Sequence, residues 1–238
     1  VGFAADMASR NAERTKAAAK ETSRTNIFPS NDFPDTSRDY YDDTSKTSFQ
    51  ATALACNQLS DSQINLLELS SEVKAPPTHY VVLDRTLFYP EGGGQLGDQG
   101  EIGNSRVVDT RIEGGVIFHL TDSEVSLGHV SGEVSWERRS QLMDHHTAVH
   151  IVGGSSRALL GPHIWQAGSS KGFRYARIDL THHSRLSRED LDRIEDHANS
   201  IIEANTTVEK LVMQRAEADG EFGFQIYQGG PPKQDEIR

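Results

Sequence analysis

Residues 139–161, RSQLMDHHTAVHIVGGSSRALLG, mark the point at which this sequence changes from short alternating segments to helical periodicity. Leu142, Val149, Val152 and Leu159 recur at helical spacing, Gly153 and Gly154 weaken the middle, and Gly161 with Pro162 supplies a stop. Within that helix His146 and His150 stand four residues apart, which stacks two imidazoles on one face where both can bind one metal ion. Zinc suits nitrogen ligands in a tetrahedral site. The same pair also fits solvated or hydrogen-bonded histidines. A zinc protease is disfavoured, because Thr147 stands where that signature needs a glutamate.

Upstream of Arg138 the segments TSFQATALAC, HYVVLD, RVVDTRI, VIFHL and HVSGEVSW each have the length and alternation of a strand. Close spacing with Gly and Asp turns predicts a small β-barrel or bent sheet. Downstream, GFRYARIDL reads as a strand, and Ser187 with Asp190 opens a helix that runs to about Ala204. Leu191, Ile194, Ala198, Ile201 and Ile202 form its apolar stripe. VEKLVM, FGFQIYQGG and EIR are further strand candidates. The expected class is α+β, a barrel-like half followed by a two-layer half with helices on an open sheet. Residues 1–25 read as an exposed helix, and 26–47 as a Pro, Asp, Ser and Thr linker.

The net charge of -11 argues against a general nucleic-acid binder and leaves contact to local basic residues. Arg138, Arg139, Lys171, Arg174, Arg177, Arg185 and Arg188 form the best such cluster. Each reads equally well as a solvated arginine or lysine balancing acidic neighbours. No apolar run approaches the roughly 20 residues of a membrane span, and no secretory signal is visible. A single cysteine, Cys56, excludes an intrachain disulfide and fits a reducing cytosol.

The second chemical feature is DRTLFYPEGGGQLGDQGEI, residues 84–102. Gly92, Gly93 and Gly94 permit backbone conformations closed to other residues and let a ligand approach the main chain, and Gln95 offers an amide beside them. Alone, the run reads as a turn between strands. Together, RTLFYPEGGGQLGDQG and HHTAVHIV resemble the two signature blocks of the alanyl-tRNA editing family. That family comprises the editing domains of alanyl-tRNA synthetases and freestanding AlaX-type proteins. The stretches IWQAGSSKG and IYQGG look like the archaeal synthetase form.

The resemblance implies a hydrolase for the ester bond of Ser-tRNA(Ala) or Gly-tRNA(Ala), working in the cytoplasm. It implies zinc held by His146, His150 and a later C-x-x-x-H segment, which the chain ends shortly before. It assigns Thr86 to the serine hydroxyl and Gln95 to the same pocket, with water as nucleophile. ATP and Mg2+ would belong to the full-length synthetase. The implied division is 1–39 as helical tail plus linker, 40–137 as a glycine-motif barrel subdomain and 138–238 as a zinc-binding editing subdomain of the threonyl/alanyl type. The related domain of threonyl-tRNA synthetase fits less well, because FYPEGGGQ has no match there. A tRNA-binding module without catalysis and a freestanding AlaX-type deacylase remain the alternatives.

Overall fold

The computed structural model describes residues 26–223, 226–227 and 234–237. The helix expected over residues 1–25 and most of the strand candidate FGFQIYQGG therefore lie outside the described residues. The structure is mixed α and β, in two units. One unit takes residues up to Tyr89 together with Gly100–Glu133. The other takes Pro90–Gln99 and Val134–Arg238.

The first unit contains β1 (Ser37–Arg38), β2 (Ser48–Gln58), α1 (Asp61–Leu66), β3 (His79–Leu83), β4 (Arg85–Thr86), β5 (Gly100–Ile102), β6 (Ser105–Glu113), β7 (Val116–Thr121) and β8 (Gly128–Val134). Six of these strands form one sheet in the order β2, β3, β7, β6, β5, β8, and β8 pairs again with β2, so the order returns to its first strand. The five segments with strand alternation all fall on these strands. Alternation is clearest in β8, where Val130, Gly132 and Val134 are buried between exposed neighbours. Gly132 lies opposite Phe49 of β2, and its missing side chain leaves room for that ring.

β7 is buried at every residue, because its two faces are both covered. One cover comes from residues 26–47, which composition marks as a linker. Instead, Phe28 stacks on Phe118 with ring centroids 4.4 Å apart, and Tyr40 is buried. Two aromatic side chains bury enough apolar surface to hold a polar segment down.

In the second unit α2 (Trp136–Leu160) is one unbroken helix, closed by Gly161 at φ 115°. β9 (Gln166–Lys171) and β10 (Ala176–Leu180) form an antiparallel hairpin against α2. The strand expected from Gly172 is therefore shorter, since Gly172 donates to the Tyr175 carbonyl at 3.0 Å and begins the turn. α3 (Arg188–Glu203) starts with the expected capping box, in which Asp190 N donates to Ser187 Oγ and Ser187 N donates to the Asp190 carboxylate. Only Ile194 and Ala198 of its stripe are buried, while Leu191 and Ile202 are exposed.

β11 (Met213–Gln214) and β12 (Glu236–Ile237) pair with each other, and α4 (Arg215–Phe222) lies between them in sequence. VEKLVM thus fails as a strand except at Met213. A strand needs a hydrogen-bonded neighbour, and Val208, 86% exposed, has no ladder partner among the described residues. Helix α4, which takes Phe222 from the FGFQIYQGG candidate, was not expected.

Candidate metal centre

The glycine loop belongs to the second unit, not to the sheet unit as the expected boundaries had it. Two hydrogen bonds, Gly92 N to Gln95 O and Gln95 N to Gly92 O, close it into a tight turn. It is then laced to β9, with Lys171 N donating to Gly94 O at 2.7 Å and Leu96 N donating to Lys171 O at 3.1 Å. Gly94 sits at φ 78°, and a Cβ there would fall 2.2 Å from the Ser169 carbonyl oxygen. No other residue type permits that approach.

This lacing aims Gln95 at helix α2. Gln95 is buried, and its Oε1 accepts from His146 Nδ1 at 2.7 Å. A carbonyl oxygen can only accept, so the His146 proton is fixed on Nδ1 and Nε2 keeps its lone pair. The rings of His146 and His150 stack with centroids 5.0 Å apart and 11° between planes, on the one face that a separation of four helical residues gives them. Desolvation, then the Lys171 charge, then His150 push the His146 pKa down to about 4. Desolvation and Lys171 lower that of His150 as well. Neutral imidazoles are the metal-binding form.

Lys171 is 2% exposed, and burial lowers its pKa. Its Nζ donates to Gly93 O at 2.6 Å and Ser169 Oγ at 2.8 Å. Arg139 is 3% exposed and forms a buried pair with Asp98, including an Nε to Oδ2 bond of 2.9 Å. Arg138 is 8% exposed and donates Nε to Gly97 O at 3.1 Å. Three of the four residues chosen for tRNA contact are thus corrected. Lys171, Arg138 and Arg139 are buried, out of reach of a phosphate backbone, and fasten the glycine loop instead. Arg174 alone is exposed, beside exposed Tyr175 and Arg177 on the hairpin.

Thr86 belongs to the other unit. It is fully buried, accepts from Phe88 N at 3.0 Å and lies 2.8 Å from His119 Nε2. His119 Nδ1 donates to Val81 O at 3.1 Å, so Nε2 is the acceptor and the Thr86 hydroxyl donates to it. The hydroxyl is already engaged.

Sequence reasoning missed three roles here. Asp98 lies in the quoted glycine block, and an acidic residue just past a loop that meets a helix start rich in arginine was the available signal. His145 donates Nδ1 to Gly172 O at 2.7 Å and takes a bond from Gln141, which ties the β9 end to α2. Beside His150 opens a cleft of about 230 Å3, lined by Gly153, Gly154, Arg157, Trp165 and Tyr227 among others. The Arg157 guanidinium sits 4.5 Å from the Trp165 ring centroid. The glycines that weaken the helix on paper leave this space open.

His146 and His150 fit half of a zinc site: parallel rings, neutral, with one tautomer set by a buried amide. The described residues bring no third His, Cys, Asp or Glu donor into a compact group with them, since the sole such group lies at His163, His182 and His183.

Comparison with known proteins gives a consistent picture. A family model for tRNA synthetases class II (A) matches residues 2–138. The chain is 45% identical to the alanine-tRNA ligase of Metallosphaera sedula over 166 residues, 67% of this chain and 18% of that protein. It is 44% identical to that of Ignicoccus hospitalis over 72% of this chain and 20% of the relative. With that of Natronomonas pharaonis it shares 39% identity over 87% of this chain and 22% of the relative. The chain spans about a fifth of the length of these curated relatives.

Proposed function

Because this chain belongs to the class II tRNA synthetase (A) family and matches alanine-tRNA ligases, we propose that its second unit is an editing centre for mischarged tRNA(Ala). The reaction is hydrolysis of the ester joining serine or glycine to the tRNA. Synthesis of alanyl-tRNA with ATP and Mg2+ would be the work of the whole ligase, in the cytoplasm.

The observation that carries the reading is the bond from His146 to Gln95 of the glycine loop. It couples the two sequence blocks into one centre. Nε2 of His146 and a ring nitrogen of His150 would hold a zinc ion, which supplies Lewis-acid polarisation of an ester carbonyl when bound. The chain's own residues do the rest. Gln95 holds the His146 ring and its tautomer, the part outer partners play in metal sites. Lys171, buried and clamped, fixes the loop and places a positive charge whose influence reaches both rings. Such a charge favours negative charge developing on an ester oxygen. The cleft beside His150 offers Trp165, 41% exposed, as a stacking surface for the terminal base of a single-stranded end.

The test is deacylation of Ser-tRNA(Ala) and Ala-tRNA(Ala) by a whole alanine-tRNA ligase that carries this sequence and by its His146→Ala form, with bound zinc measured in both. Wild type should hydrolyse the serine ester and spare the alanine ester. His146→Ala should lose at least about a hundredfold in rate together with its zinc. Equal rates in the two proteins would refute the assignment. A second reading, a tRNA-binding module without catalysis, draws on exposed Arg174, Tyr175 and Arg177. Tight binding without hydrolysis by the wild type would select it.

A further inference from the structure

A different histidine cluster lies in the same unit, where the chain leaves α2 and where it leaves β10. His163 follows the helix stop at Gly161, and His182 and His183 follow Thr181. Their rings converge. His163 Nε2 lies 2.9 Å from His182 Nδ1, and ring centroids are 5.1 Å apart for that pair, 5.7 Å for His163 with His183 and 4.3 Å for His182 with His183. One ring nitrogen from each lies within 4.8 Å of the other two.

The convergence is built in rather than left to long side chains. Thr181 Oγ1 donates to His163 O at 2.8 Å and accepts from Trp165 N at 2.8 Å, while Thr181 N donates to Trp165 O at 2.9 Å. These bonds staple the two segments together within one or two residues of each ring. Three charged histidines at these distances would repel one another. The bond between His163 Nε2 and His182 Nδ1 needs one of these nitrogens to accept, so a lone pair faces its neighbour inside the cluster.

We propose that His163, His182 and His183 form a transition-metal site, taking Zn2+ or a similar borderline divalent ion on three imidazole nitrogens with a fourth position open to water. Nitrogen-only ligation selects this class of ion over Mg2+ or Ca2+, which take oxygen ligands. The ion would pin the end of β10 to the end of α2. This inference does not depend on the editing reading, because it shares no ligand with His146 and His150.

The experiment uses the full chain carrying His146→Gln and His150→Gln, so that the first pair cannot bind. Titration with Zn2+ against a chromophoric chelator should still find one equivalent, and zinc should raise Tm. Adding His182→Gln should weaken that binding at least tenfold and remove the Tm rise. In the unsubstituted chain, which needs no variant to fold, Zn2+ should shift the ring nitrogen resonances of His163, His182 and His183 together. Zinc binding unchanged by His182→Gln, or ring shifts confined to other histidines, would overturn the site.

Discussion

At the scale of single residues, His119 shows how a buried polar group constrains its surroundings. It is fully buried, donates to Val81 O and accepts from Thr86, and desolvation pushes its pKa down to about 4. An unfolded histidine titrates near 6.5, so between these values the unfolded chain binds more protons than the folded one. Stability contributed by His119 is complete above about pH 6.5 and lost as pH falls through about 4, roughly 3 kcal/mol in all. Denaturant melts at pH 7 and pH 4.5 should show the loss, and His119→Gln should flatten that slope. An unchanged slope would show that His119 is not the group responsible. Thr86→Val should cost about 1–3 kcal/mol, because it strands the His119 acceptor.

At the scale of elements, the glycine loop is held by charge as well as by backbone. Arg139→Ala leaves the Asp98 carboxylate buried beside α2 without its guanidinium, a change that costs about 3–5 kcal/mol. Thermal unfolding measures this, and a loss of tRNA affinity at unchanged Tm would instead return Arg139 to the surface role its sequence suggested. Much of this layer was legible in the sequence. The stop at Gly161, the Ser187 capping box and the five alternating segments rest on local rules, and local rules are written in consecutive residues. The roles of Arg138, Arg139 and Lys171 were not legible. Sequence shows that they are basic, and only tertiary packing shows that Asp98, Gly97 and Gly93 lie against them. VEKLVM failed for the same reason, since alternation names a strand but not its neighbour. Phe28 shows the converse, a buried anchor inside a segment whose composition reads as linker.

For the whole molecule, a net charge of -11 means that any tRNA contact must be local. On the proposed function, the exposed hairpin turn with Arg174 and the neighbouring Arg177, whose Nε lies 3.2 Å from Asp179, would supply such a contact. Arg174→Ala with Arg177→Ala should lower tRNA affinity and reduce the salt slope by about one for each phosphate no longer neutralised. Stability should move by no more than about 0.5 kcal/mol at such exposed positions. Equal salt slopes would place the tRNA on another surface. No described helix is long and apolar enough to cross a membrane.

The central claim is that the glycine loop and helix α2 form one centre through Gln95 and His146. The most direct measurement is the rate of Ser-tRNA(Ala) hydrolysis by Gln95→Ala, read beside its tRNA affinity. We expect the rate to fall about 10–100-fold, as when other metal ligands lose an outer partner, with tRNA affinity unchanged. A rate equal to wild type would contradict the claim.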